Sequence, residues 1–161
     1  MRLVLADDSV LLREGLAELL RQAGFDVVAQ AGDGESLLQA VDAELPDVCV
    51  VDIRMPPTHT TEGLVAALTI RERHPGIGVL VLSQHVETHY AMQLLGDRAS
   101  GIGYLLKDRV ADVREIVDAV TAVARGGSII DPTVVSRLLG RRRQADPIET
   151  LTARELDVLA L

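Results

Sequence analysis

Val48-Cys49-Val50-Val51 is an uninterrupted apolar run, bounded by Pro46-Asp47 before it and by Asp52 after it, with Pro56-Pro57 close behind. Alternation of apolar and polar residues marks a strand with one wet face. A run apolar at every position marks a strand covered on both faces, as in a parallel sheet. Leu3-Val4-Leu5-Ala6 and Val79-Leu80-Val81-Leu82 have the same character, and Val27-Val28-Ala29 and Tyr104-Leu105-Leu106 are shorter versions of it. Between them lie segments with helical spacing. Leu12, Leu16, Leu19, Leu20 and Ala23 form one apolar face stopped by Gly24, and Leu37, Leu38 and Val41 follow Gly32-Asp33-Gly34. Leu64, Val65, Leu68 and Ile70 mark a third helix, a weaker one runs from Glu87 to Leu95, and Val110 to Ala124 forms a long one that ends on Gly126-Gly127. Strand and helix thus alternate five times with no internal repeat. Such alternation implies an α/β fold, a parallel sheet with right-handed crossovers and helices on both faces. The domain is expected to close near Arg125.

A chain of 161 residues accommodates one full-sized domain and a short appendage, not two complete domains. With 48% hydrophobic but only 2% aromatic residues, the core must be built from Leu, Val, Ile and Ala. A formal charge of −8 disfavours nonspecific attraction to nucleic acid or to an anionic membrane. Cys49 is the single cysteine, so no intrachain disulfide forms and a reducing cytoplasm is the expected home. Inside its strand it reads as an inert small apolar residue. The first apolar run is broken by Asp7-Asp8 before it reaches signal-peptide length, and no stretch approaches the ~20 apolar residues that span a bilayer. No membrane association is expected.

In open α/β sheets, ligands bind at the carboxyl ends of the strands. There the first strand delivers Asp7 and Asp8, the third Asp52, the fourth Ser83 and the fifth Lys107. Taken singly, each has a plainer role: Asp7 or Asp8 as a helix cap, Ser83 as a turn residue, Lys107 as a solvated surface group. Together they are harder to explain away, because three crowded carboxylates repel one another unless a cation sits among them. All-oxygen ligands with open positions suit Mg²⁺, and a hydroxyl and an ammonium beside them can hold the oxygens of a phosphoryl group carried by one carboxylate. The set is that of a site for aspartyl phosphate. His59, His74, His85 and His89 show no ligand spacing backed by carboxylates or thiols. Gly32-Asp33-Gly34 is too short for a nucleotide-binding loop.

The order Asp7-Asp8, Asp52, Ser83, Lys107, with Gly103-Tyr104-Leu105-Leu106-Lys107-Asp108 around the last, resembles the receiver domain of bacterial two-component response regulators. The resemblance runs from Met1 to about Arg125. It implies a (βα)5 flavodoxin-like fold, a five-stranded parallel sheet of order 2-1-3-4-5. It implies Asp52 as acceptor of a phosphoryl group from a sensor histidine kinase, and Asp7, Asp8, Asp52 and the backbone carbonyl of Arg54 as Mg²⁺ ligands. Ser83 becomes the switch hydroxyl, Tyr104 the coupled switch aromatic, although it is also ordinary core material, and Lys107 the partner of the phosphoryl oxygens. Such a protein is not an enzyme in the ordinary sense, beyond Mg²⁺-dependent self-phosphorylation and self-dephosphorylation. Phosphorylation is expected to favour a homodimer or to release an output domain, by reordering the face formed by the helix near Glu87 to Leu95, the fifth strand and the helix after it. The chain departs from the usual pattern in one place: Met55-Pro56 is followed by Pro57-Thr58-His59-Thr60-Thr61 before Glu62-Gly63, a loop longer by about three residues. That loop borders the site and bears on kinase docking and on hydrolysis, and Gln84 after the serine is expected to slow entry of attacking water.

Beyond the receiver, residues 126–148 read as a linker with a short amphipathic helix on Val134, Val135, Leu138 and Leu139, followed by the charged Arg141-Arg142-Arg143. Residues 149–161 contain Thr152 and Glu155 at capping-box spacing. They resemble the opening of a LuxR-type helix-turn-helix domain, and the combination resembles the NarL/FixJ subfamily. These residues hold no recognition helix, so DNA reading is expected only through a full output domain, of which they are expected to be a truncated or incomplete start. Two other readings compete. A receiver-like binding module that works without phosphorylation leaves the full residue set unexplained. A phosphatase with an aspartate nucleophile usually carries a second Asp two residues on, where this chain has Arg54.

Overall fold

A computed structural model of the chain describes residues 1–84, 100–133 and 135–136. The expected helix from Glu87 to Leu95, the arginine-rich linker and the capping box at Thr152 lie outside the described residues. Six strands form one sheet: β1 (Arg2–Ala6), β2 (Asp26–Ala31), β3 (Val48–Asp52), β4 (Gly78–Ser83), β5 (Ile102–Leu106) and β6 (Ser128–Ile130). Their order is β2-β1-β3-β4-β5-β6 and every pairing is parallel. The expected order 2-1-3-4-5 is therefore present with a sixth strand added beyond Arg125. Three residues of Ser-Ile-Ile carry too short a pattern to announce a strand; pairing of Ile102, Gly103 and Tyr104 with Ser128, Ile129 and Ile130 makes it one.

The four described α-helices are α1 (Val10–Gln22), α2 (Gly34–Glu44), α3 (Glu62–Arg73) and α4 (Val113–Ala124). Because side chains alternate across a strand, β3 feeds two cores. Cys49 and Val51 pack with Leu37 and Val41 of α2 and Leu64, Ala67 and Ile70 of α3. Val48 and Val50 pack with Leu16 and Leu20 of α1 and Ile116, Val120 and Val123 of α4. Side chains cover both faces, so β3 and β4 are buried at every position. Burial pushes the Cys49 thiol up to about 12, which keeps it a neutral apolar group.

Two helices differ from their expected faces. Val65 is 58% exposed, and the buried face of α3 is Gly63, Leu64, Ala66, Ala67 and Ile70. Leu12 likewise points outward from α1, whose buried residues are Leu16, Ala17 and Leu20. The last helix begins at Val113 rather than Val110. A short 3-10 turn, Lys107–Ala111, follows β5, and the Asp112 carboxylate accepts from the N–H groups of Arg114 and Glu115 at 3.0 and 3.3 Å, starting α4 afresh. One glycine is required by close approach: a Cβ on Gly63 would lie 1.7 Å from the carbonyl oxygen of Asp52. The same residue donates its N–H to the carbonyl of Ile53 at 2.7 Å, so α3 is docked directly on the end of β3.

Candidate functional site

Parallel register decides which side chains meet. Ala6 pairs with Val51, so Asp7 comes level with Asp52, and Ser83 pairs with Leu106, so it comes level with the residue before Lys107. Among the described residues Asp7, Asp8 and Asp52 form a cluster whose carboxylate oxygens lie within 4.8 Å of one another. The Lys107 Nζ stands 3.1 Å from Asp52 Oδ2 and 3.4 Å from Asp7 Oδ2. Asp7, Asp52 and Ser83 are almost wholly buried, whereas Asp8 faces solvent. A cavity of about 250 Å³ opens between them, walled by Asp8, Asp52, Ser83, Gln84, Lys107 and His59.

Each acid is held by short-range contacts. Asp7 donates its backbone N–H to the Ala31 carbonyl at 3.0 Å, while its Oδ1 accepts from the Ser9 N–H at 2.9 Å. Asp52 Oδ1 accepts from the Arg54 N–H at 3.4 Å. Burial is the largest influence on Asp52 and raises its pKa from 3.8 to about 6, with the Asp7 charge adding to the rise and the Lys107 ammonium opposing it. A carboxylate poised in this range is incompletely compensated: one ammonium serves two acids. Hard oxygen donors, two of them buried, around a cavity open to water are a fit for Mg²⁺, which keeps part of its octahedron for water and phosphate.

Tyr104 is fully buried in the core on the side of α2 and α3, paired with Val81, and does not line the cavity. Arg54 does line it. Three further residues escaped the sequence pattern. Arg13 reaches from α1 to donate to the carbonyls of Asp7 at 2.8 Å and Ala31 at 3.2 Å, bracing the end of β1. His59, in the long loop, contacts Asp8 with Nε2 to Oδ2 at 3.0 Å. Asp131, just past β6, is wholly buried and accepts from the Leu106 N–H at 3.1 Å and from Arg109 at 3.0 and 3.3 Å. The partners of His59 and Asp131 lie 51 and 22 residues away in sequence, so local spacing carried no signal for them.

Residues 3–121 match the family of response regulator receiver domains. Over 181 aligned residues, covering all of this chain and 74% of the relative, the chain is 35% identical to the transcriptional regulatory protein DegU of Brevibacillus brevis. It is 38% identical to a probable transcriptional regulatory protein NarL of Mycobacterium tuberculosis, over 99% of this chain and 72% of that one. Among solved structures, a LuxR-family two-component response regulator from Aurantimonas superposes with a TM-score of 0.74 at 26% identity, covering 88% of this chain and 96% of that one. The parallel sheet, its strand order and these relatives agree, and the chain belongs to the response regulator receiver family, among the two-component regulators of the NarL type.

Proposed function

We propose that Asp52 accepts a phosphoryl group from the phosphohistidine of a sensor kinase. The observation that carries the reading is the meeting of Asp7, Asp8 and Asp52 within 4.8 Å, with the Lys107 ammonium 3.1 Å from Asp52. In the transfer, an Asp52 oxygen forms the new O–P bond as the donor's N–P bond breaks, and the imidazole leaves with its electron pair and takes up a proton. The donor is already activated, so this chain contributes positioning and charge compensation. Asp7, Asp8, Asp52 and the Arg54 carbonyl would hold Mg²⁺, which supplies neutralisation of the phosphoryl oxygens. Lys107 already pairs with Asp52 and remains beside the product; Ser83 lines the same cavity and offers its hydroxyl to a phosphoryl oxygen. The partner is a sensor histidine kinase.

Phosphorylation then acts as a population shift. Movement of Ser83 toward the phosphoryl group and rearrangement around Tyr104 favour a homodimer or release of an output domain that binds DNA. Moving such an equilibrium from 1:99 to 99:1 takes roughly 5.5 kcal/mol of preference for the active state. The phosphatase reading gains nothing from the geometry, since Arg54 stands where the acid/base carboxylate belongs. The chain is expected to gain one phosphate adduct by intact mass on incubation with acetyl phosphate and Mg²⁺, and Asp52→Asn is expected to gain none. Equal adducts on both proteins, or none on either, sink the acceptor role. Beryllofluoride is expected to shift elution toward a dimer, and unchanged elution counts against the switch.

A further inference from the structure

Three acids share the cation site, and they are not equally fixed. Asp7 is tied by the Ser9 N–H and by Lys107, and Asp52 by the Arg54 N–H and Lys107. Asp8 is exposed, and among the described residues its hydrogen-bond partner is His59. An ionised carboxylate only accepts, so the contact at 3.0 Å places the hydrogen on Nε2 of His59. His59 also walls the cavity above Asp52. The residue comes from the loop that is longer than the usual receiver pattern.

That loop is built to present it. Glu62, at the start of α3, accepts from the N–H groups of Thr58 at 2.8 Å and Thr60 at 3.0 Å, on either side of His59. The Thr58 hydroxyl also donates to Glu62 and stands 2.8 Å from the Thr60 hydroxyl. His59 itself donates its backbone N–H to the Met55 carbonyl at 2.9 Å and adopts φ 55, a left-handed conformation that histidine tolerates better than most residues. The Thr58 hydroxyl and these N–H bonds hold the Glu62 carboxyl down to about 2, so the clamp is charged throughout the neutral range. Backbone in this region persists where surrounding contacts over-determine it, and here they do.

We propose that His59 is a positioning residue for the cation site, orienting the Asp8 carboxylate through its Nε2–H so that Asp8 ligates Mg²⁺ from a fixed geometry. This rests on the phosphoacceptor reading above. Hydrogen-bond partners of metal ligands, when removed, weaken metal binding by about 10–100-fold. His59 and Asp8 are 54% and 32% exposed, so water takes up part of the contact and a loss smaller than that range, about 3–10-fold, is expected.

The test is titration of the full chain with Mg²⁺ alone, by calorimetry, on wild type, Asp8→Asn, His59→Ala and His59→Gln, with a thermal melt of each. His59→Ala is expected to bind Mg²⁺ about 3–10-fold more weakly. His59→Gln, whose amide nitrogen reaches the place of Nε2, is expected to recover most of the loss. Equal or tighter binding by His59→Ala overturns the proposal, as does a His59→Gln no better than His59→Ala, which reduces the side chain to a loop filler. Failure of wild type to bind Mg²⁺ at all overturns the metal site itself. Wild-type binding that only Asp8→Asn weakens overturns the role of His59 alone.

Discussion

Asp52 at the end of β3 and Asp131 just past β6 are both shielded from water, at 4% and 0% exposure, yet burial leaves them in opposite electrostatic states. Burial pushes the Asp52 carboxyl up to about 6, because the Lys107 ammonium that opposes it is shared with Asp7. Burial pushes Asp131 up as well, but Arg109 and the N–H groups of Leu106 and Thr133 more than reverse it and hold the carboxyl below its usual range. A buried charge with a full set of donors is structural, whereas one left short of donors has a reason to bind a cation or to react. The two acids sit on the same sheet, so the difference lies in their partners and not in the fold.

Four measurements break or sharpen this contrast. Asp131→Ala strips Arg109 and two backbone N–H groups of their acceptor and is expected to cost about 3–4 kcal/mol in denaturant unfolding, a partly exposed arginine keeping the loss moderate. Asp52→Asn should move the other way. The native state holds a proton on Asp52 more tightly than the unfolded chain does, so stability falls as pH rises from 3.8 to about 6. At ~1.4 kcal/mol per pH unit, removing the charge is expected to gain about 2–3 kcal/mol at pH 7 and nothing near pH 3.5. If the two substitutions shift stability in the same direction at pH 7, the contrast is wrong.

Mg²⁺ at ten times its dissociation constant is expected to stabilise wild type by about 1.4 kcal/mol. Most of that increment should vanish in Asp52→Asn and survive in Asp131→Ala; the reverse outcome places the cation elsewhere. The smallest effect, a slight loss of stability, is expected for Arg109→Lys, which keeps the charge but loses the paired donors at 3.0 and 3.3 Å from Asp131. A neutral result there would assign the Asp131 clasp to its backbone donors.

Strands covered on both faces leave the clearest mark a sequence can carry, which is why the Val48 to Asp52 run and its parallel neighbours are legible from their residues alone. Residue types at strand ends are equally legible, since the pair Asp7-Asp8, Ser83 and Lys107 each follow an apolar run directly. Apolar spacing alone misjudged α3, where Val65 faces out and small residues lie beneath, because Gly63 and Ala66 contribute almost nothing to a hydrophobic pattern yet allow close docking on β3. It also ran the last helix back to Val110, since the restart at Asp112 is a capping event inside an unbroken apolar rhythm. Nothing in the sequence marks His59 for a related reason: its partner Asp8 lies 51 residues away, and the pairing of β1 with β3 together with the loop's hydrogen bonds to Glu62 sets the two side by side.

The sixth strand has a geometric consequence for whatever the chain carries next. By continuing the sheet past Arg125, it shifts the point of departure to Asp131, and the six residues taken up would otherwise pay out about 20 Å of extended tether. Because β6 runs parallel to β5, the chain also leaves from the edge of the sheet that carries Asp52, so whatever is attached departs from the rim where a phosphoryl group would arrive.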